Sequence, residues 1–172
     1  MSRLFPVLLL GLLAACSRRD APPVAAGLPP TQVEIWAAIQ PLAARYRIEP
    51  EFVYALVAAE SNFDPRARNG DARGLMQLKP RAWRTVSMQP YEPTVWDWRA
   101  NLEAGVDYLA HSRSYLHRQR DVTFSYPLLL AAFHYGLDYV EERRFEVSRI
   151  AVPDNRIYRE LWRGQLAPVP PP

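Results

Sequence analysis

The sequence lacks the features of several common protein classes. Cys16 is the only cysteine among 172 residues, so no disulfide can form within the chain and the fold must depend on packing. The longest apolar run, residues 4–13, is about half of the roughly twenty residues that a membrane-spanning helix needs. A permanent transmembrane helix is therefore not expected.

The chain also lacks a strong charge of one sign. It has 21 basic and 18 acidic side chains, and the two kinds alternate along the sequence, which argues against a nucleic-acid-binding stripe. No cluster of His, Cys or carboxylate residues has the spacing of metal ligands, and no glycine-rich loop suggests a nucleotide. We therefore expect no metal, no cofactor and no nucleic-acid partner.

What is present fits one exported domain. Hydrophobic residues make up 49% of the chain, enough for a single core, and a second full domain is not expected. Residues 1–15 have the pattern of a secretory signal, with Arg3, an apolar run and then small residues. We expect a tether at 16–30, a folded domain at 31–165 and a proline-rich tail at 166–172.

The end of the signal resembles a lipoprotein processing site. Leu13-Ala14-Ala15-Cys16 is similar to the lipobox of bacterial lipoproteins, in which the cysteine carries lipid and becomes the new N-terminus. Ser17 follows, where an aspartate would resemble an inner-membrane retention signal. The resemblance implies anchoring through Cys16 on the periplasmic face of the outer membrane. An ordinary signal peptide with a free thiol is the alternative.

Helical patterns dominate the expected domain. Thr31 and Glu34 form a capping box before an apolar stripe of Val33, Ile35, Trp36, Ile39 and Leu42. Pro50 predicts the start of a second helix that ends near Ser61. Further segments are a loop at 62–74, a short helix at 75–86, a long helix at 99–118, a central apolar helix from Pro127, and a last helix capped by Asp154. These patterns predict an all-α fold.

Glu60 lies where an apolar residue would be expected. It continues the apolar stripe of the second helix, which is formed by Val53, Leu56 and Val57 at helical spacing. Burial and the negative end of the helix dipole both disfavour a charged carboxylate there. A carboxyl group that keeps its proton can protonate the leaving oxygen of a glycosidic bond. The alternative is a structural ion pair with Arg66 or Arg68.

The segments around Glu60 resemble one enzyme family. Glu60-Ser61-Asn62-Phe63-Asp64-Pro65, followed by Gly74-Leu75-Met76-Gln77-Leu78 and Pro80, is similar to the goose-lysozyme-like lytic transglycosylases of the soluble type. The resemblance continues through Asn101-Leu102, Gly105, Tyr108-Leu109 and Tyr158. It implies an all-α, lysozyme-like single domain with a cleft. One segment departs: His134 stands where the family has a substrate-facing asparagine.

The resemblance also implies a reaction and a set of roles. Glu60 would protonate the oxygen between N-acetylmuramic acid and N-acetylglucosamine in peptidoglycan, and would then accept the proton of the muramic 6-hydroxyl as a 1,6-anhydro ring closes. Tyr158 would direct its hydroxyl at Glu60 or the sugar. The other carried-over roles are substrate contacts, with Ser61 orienting Glu60 or binding the glycan, Met76 lining the cleft, and Gln77 and His134 forming hydrogen bonds to sugar.

Other possibilities remain open at this point. A hydrolase of the same fold would deliver water to the glycan, and a binding or envelope-assembly protein would grip peptidoglycan with little turnover; partners in an envelope complex are not identifiable from sequence. Asp64 is expected to make a turn contact rather than act as a second catalytic carboxylate. Candidate sugar-stacking aromatics are Trp83, Tyr91, Trp96 and Trp98.

Overall fold

The computed structural model describes residues 28–166, and helices dominate this part of the chain. The helices are α1 (Gln32–Tyr46), α2 (Pro50–Ser61), α3 (Pro80–Val86), α4 (Tyr91–Thr94), α5 (Trp98–Arg118), α6 (Tyr126–Tyr135), α7 (Leu137–Glu142) and α8 (Arg156–Trp162), with a 3₁₀ turn at Val147–Arg149. The predicted signal, Cys16, most of the tether and nearly all of the tail lie outside the described residues. None of the helices in residues 28–166 is long and apolar enough to cross a membrane.

Local sequence signals set the beginning of the first two helices. Thr31 accepts a hydrogen bond from the Glu34 backbone, and the Glu34 side chain accepts one from the Thr31 backbone, so the predicted capping box is confirmed. Pro50 occupies the first turn of α2, as predicted. The predicted stripe of α1 is wrong at Val33, which is 56% exposed. The buried face of α1 consists instead of Ile35, Ile39 and Ala43, spaced four residues apart.

Helices α2 and α6 are the most buried elements. In α2, every residue from Phe52 to Ala59 is buried, and in α6 every residue from Leu128 to Phe133 is buried. Helix α2 packs against α1 and α8, while α6 packs against α5, α7 and α8. The prediction of a central apolar helix after Pro127 is thus confirmed, and the all-α fold class with it.

The segment between α2 and α3 contains a small β-hairpin that the sequence did not predict. Strands β1 (Arg68–Asn69) and β2 (Ala72–Arg73) pair antiparallel, with Arg68 opposite Arg73. The predicted helix at 75–86 begins only at Pro80, because residues 74–77 form a turn and Leu78 makes a β-bridge to Arg73. The hairpin and the turn together connect α2 to α3.

The turn at residues 74–77 is fixed by hydrogen bonds to a side chain of α5. Asn101 is fully buried: its Oδ1 accepts a hydrogen bond from the Met76 backbone, and its Nδ2 donates to the Arg73 and Val95 carbonyls. Gly74 has a positive φ of 76°, and a Cβ there would lie 2.4 Å from Asn101 Nδ2. At Gly105, a Cβ would lie 2.4 Å from Met76 Cγ. Both glycines therefore make room for this contact.

The N-cap of α8 differs from the prediction. Asp154 was expected to cap this helix, but Asn155 does so, its Oδ1 accepting hydrogen bonds from the backbones of Ile157 and Tyr158. The Asn155 amide also donates to the Ala59 carbonyl at 3.1 Å. An aspartate carboxylate has no proton to donate to that carbonyl, which is why asparagine suits this position. Asn155 thus ties the start of α8 to the end of α2.

Candidate active site

Glu60 occupies the last turn of α2, at the end of its buried stretch. Its side chain is only 9% exposed. Directly after the helix, Asn62 and Phe63 have positive φ values of 51° and 64°, so the chain turns away from the axis of α2 immediately beyond Ser61. The carboxyl group is therefore held by a rigid helix at an end from which the backbone departs.

Tyr158 binds the Glu60 carboxylate directly. Its hydroxyl donates a hydrogen bond to Glu60 Oε1. The side chain is 1% exposed because α8 packs against α2 and Asn155 fixes its first turn. Burial, followed by the negative charge of Glu60, raises the pKa of Tyr158 well above its ordinary value. The phenol therefore keeps its proton and remains a donor to Glu60.

His134 reaches the same carboxylate oxygen from α6. Its Nδ1 lies 3.5 Å from Glu60 Oε1, and its ring packs edge-on against Tyr158 with the ring centres 4.9 Å apart. The side chain is 32% exposed, so it has one buried side and one open side. Three helices, α2, α6 and α8, thus bring together Glu60, His134 and Tyr158, three of the residues that the sequence assigned to one site, although the contact between His134 and Glu60 was not predicted. Glu60 Oε2 has no hydrogen-bond partner in residues 28–166.

A cavity of about 450 Å³ lies beside this group of residues. Glu60 does not line it, but His134, which contacts Glu60, does. Gln77 and the start of α3 also line the cavity, as do Tyr108 and His111 of α5. Gln77 has a positive φ of 45°, and its Nε2 donates to the Ala67 and Gly74 carbonyls, at 3.0 and 2.9 Å. Both side-chain amide protons of Gln77 are donated to carbonyls of the loop, so Oε1 is left as an acceptor for a ligand.

Comparison with known proteins identifies the family of this domain. A family model described as the transglycosylase SLT domain matches residues 37–146, more than half of the chain. The chain belongs to the transglycosylase SLT domain family. This membership confirms the resemblance seen in the sequence. Glu60, Gln77 and His134 lie inside the matched segment of the SLT domain, whereas Tyr158 lies beyond it.

A solved structure shows the same fold. It is an inactive mutant of the lytic transglycosylase Slt from Pseudomonas aeruginosa, which aligns with a TM-score of 0.50 and 22% sequence identity. The alignment covers 73% of this chain and 20% of that one, so this chain spans about a fifth of the length of its structural relative. A search of curated proteins found no match. The lysozyme-like fold is confirmed.

Two predicted site residues of the SLT domain have other roles in the structure. Met76 was expected to line the cleft, but its side chain is fully buried under Gly105 and is part of the core, so the prediction is wrong. The Ser61 hydroxyl donates to the Val57 carbonyl at 3.2 Å rather than to Glu60, so it does not orient the carboxylate here. A contact between Ser61 and substrate stays a prediction.

The alternative role for Glu60, a surface ion pair with an arginine, is also wrong. Among the described residues, the basic side chain within 4.0 Å of the Glu60 carboxylate is His134, whereas Arg66 and Arg68 lie over the Trp96 ring. Asp64 makes the predicted turn contact, since its Oδ1 accepts a hydrogen bond from the Arg66 backbone at 2.8 Å. Glu60 therefore has Tyr158 and His134, not an arginine, as its partners.

The four aromatic residues proposed for sugar stacking differ in their burial and contacts. Trp83 is 1% exposed and donates its indole proton to the Gln89 carbonyl, so it is a core residue and that prediction is wrong. Tyr91 donates its hydroxyl proton to backbone carbonyls of the hairpin and of Leu78. Trp96 and Trp98 each have an arginine side chain over the ring. Sugar contacts by these three remain a prediction.

Proposed function

We propose that this SLT domain is a lytic transglycosylase, an enzyme that cleaves the β-1,4 bond between N-acetylmuramic acid and N-acetylglucosamine and forms 1,6-anhydromuramic acid. The observation that carries the proposal is the carboxyl group of Glu60, 9% exposed, which is held by Tyr158 and adjoins the cavity through His134. Family membership supports the same class of reaction.

The first step is a proton transfer from Glu60 to the glycosidic oxygen. Tyr158 and His134 both approach Oε1, so the proton to be donated belongs on Oε2, which has no partner in the described residues. The step requires that Glu60 carries a proton when the glycan strand is bound. As the bond between C1 and the leaving oxygen breaks, positive charge develops at C1, and the new Glu60 carboxylate faces it.

The second step uses the same residue as a base. The Glu60 carboxylate accepts the proton of the muramic 6-hydroxyl while that oxygen attacks C1, so one carboxylate completes the reaction without a bound water. An internal nucleophile has a high effective concentration, which makes this closure fast. The Tyr158 hydroxyl stabilises the carboxylate between the two steps because it is a fixed donor in a site shielded from water. Gln77 Oε1 would accept a hydrogen bond from an N-acetyl group in the cavity.

A digest of purified sacculi tests this proposal against a hydrolytic lysozyme. A transglycosylase releases products that each lack one water relative to hydrolytic products, and mass spectrometry separates the two. A hydrolase needs a second group to activate water, and Asp71 is a candidate because it lines the cavity. We expect anhydro products from wild type and from Asp71→Asn alike. Products that retain the water, and that disappear in Asp71→Asn, would identify a hydrolase instead.

The second alternative is a peptidoglycan-binding or envelope-assembly protein. The observation that favours it is His134, which replaces the asparagine of the family pattern, contacts Glu60 and lines the cavity. If wild type binds sacculi but releases no product of either mass, the enzymatic proposal is wrong and the binding function stands.

Removing the Tyr158 hydroxyl is expected to slow the reaction about tenfold to a hundredfold. Phenylalanine keeps the packing of α8 against α2 but leaves the Glu60 carboxylate without its donor between the two steps. Turnover of glycan strands by Tyr158→Phe should therefore fall while KM changes little. Tyr46→Phe is the matched control, because that hydroxyl donates to Asp107, away from Glu60. Equal turnover in wild type and Tyr158→Phe would exclude this role.

The location of the enzyme is a separate proposal. We propose that Cys16 carries lipid and holds the domain on the periplasmic face of the outer membrane, where its substrate lies. The support is sequence alone: the lipobox-like residues 13–16, followed by Ser17 rather than an aspartate. The segment between Cys16 and α1 would act as the tether.

A further inference from the structure

Three arginine side chains of the β-hairpin region lie around the ring of one tryptophan. The Cζ atoms of Arg66, Arg68 and Arg73 lie 6.0, 4.4 and 5.8 Å from the centre of the Trp96 ring. The hairpin places Arg68 directly opposite Arg73 across the two strands. Arg66 lies in the turn just before β1. We call these three residues the arginine cluster.

The positive charge of the arginine cluster is not neutralised by the protein. Like charges directly opposite one another in a hairpin are unfavourable. None of the three guanidinium groups has a carboxylate within 4.0 Å among residues 28–166. The carboxylate of Glu92 accepts the Trp96 indole proton at 2.6 Å instead. Arg73 Nε is buried and has no hydrogen-bond partner in this part of the chain. The ring face of Trp96 offsets only part of this repulsion.

The arginine cluster lies next to the cleft. The carbonyl of Ala67, which lies between Arg66 and Arg68, accepts a hydrogen bond from the Gln77 side chain, and Gln77 lines the cavity. Asp71, at the tip of the same hairpin, also lines the cavity. Arg66 and Arg68 are exposed to solvent. When a glycan strand occupies the cavity, its substituents would therefore lie near the exposed guanidinium groups of Arg66 and Arg68.

We propose that the arginine cluster is a carboxylate-binding site that recognises the acidic peptide stems of the glycan strand. Guanidinium groups form paired, charge-assisted hydrogen bonds with carboxylates, and a bound carboxylate would relieve the repulsion between Arg68 and Arg73. Peptide stems carry free carboxylates at intervals along the strand, whereas the sugars beside them are mostly neutral. The inference rests on the proposed function, since it assigns a preference to the same cleft.

A binding measurement tests this site separately from catalysis. Full-length protein with Glu60→Gln is incubated with two preparations of glycan strands, one native and one in which carbodiimide coupling to methylamine has converted the stem carboxylates to amides. We expect about tenfold tighter binding to the native strands, and a preference that shrinks as salt is added. Adding Arg66→Gln and Arg68→Gln should abolish the preference, because both exposed donors are lost.

The matched control removes the same charge at the same spacing elsewhere. Arg118→Gln with Arg120→Gln changes two exposed arginines at the far end of α5, and this double variant should keep the preference for native strands. Equal binding to native and amidated strands by the Glu60→Gln protein would overturn the carboxylate site. So would an undiminished preference after the change at Arg66 and Arg68. Failure of the proposed function looks different: selective binding would persist, yet wild type would cleave neither preparation.

Discussion

Glu60→Gln is expected to lower the rate of glycan cleavage by about a hundredfold to ten-thousandfold, the range that general acid–base catalysis contributes. Glutamine has the same shape and can still accept the Tyr158 hydrogen bond, but its amide cannot protonate the glycosidic oxygen or accept the 6-hydroxyl proton. Because one residue performs both steps in the proposed reaction, both are lost together. The measurement is the initial rate of release of anhydro-muropeptides from purified sacculi.

Two readouts separate loss of chemistry from loss of folding. The thermal unfolding midpoint of Glu60→Gln should stay close to that of wild type, because the change is isosteric and the glutamine oxygen can still accept the Tyr158 hydrogen bond. Glu51→Gln is the matched control, since it makes the same change in the first turn of α2, far along the helix from Glu60, and it should cleave normally. If Glu60→Gln keeps more than about a tenth of wild-type activity, Glu60 is not the acid.

Local chemistry made much of the fold predictable. The capping box at Thr31 and the proline at Pro50 act within one helical turn, so the sequence alone specifies where α1 and α2 begin. The apolar run after Pro127 can be buried only at the centre of the domain. Val33 was wrongly assigned to the buried face of α1, because periodicity gives the width of an apolar stripe only approximately. The packing of α1 on α2 decides which residues at the edge of the stripe are buried. Strands of two residues have no alternation to detect, so the hairpin was missed.

The candidate site was predictable as a set of positions but not as a set of contacts. Glu60, His134 and Tyr158 do meet, although they are far apart in sequence and on three different helices. A motif records which residue types recur, not the direction of each side chain, and for this reason Met76 was assigned to the cleft although it lies in the core. Asn155 was missed, although asparagine is a strong N-cap residue and stands only one position from the predicted Asp154. Its second contact, to Ala59, is long-range and carries no local signal.

Asn101→Ala is expected to destabilise the domain by about 2–6 kcal/mol, one of the largest effects of a single polar substitution here. The Arg73 carbonyl would still accept a hydrogen bond from the Leu78 backbone. The Met76 N–H and the Val95 carbonyl would each lose the hydrogen bond to the Asn101 side chain, and both residues are fully buried. Each buried group left without a partner costs about 1–3 kcal/mol, which gives the expected range. Denaturant unfolding followed by circular dichroism measures the change.

The same substitution should impair catalysis beyond its effect on stability. Asn101 holds the Met76 backbone, and Met76 precedes Gln77, whose left-handed backbone directs its side chain to the loop and the cavity. Without Asn101, that turn can relax, so KM for glycan strands should rise even at temperatures where the variant is folded. Asn69→Ala, in exposed strand β1, is the control and should change neither quantity by much. If Asn101→Ala unfolds at the wild-type denaturant concentration, the buried amide does not support the turn that positions Gln77.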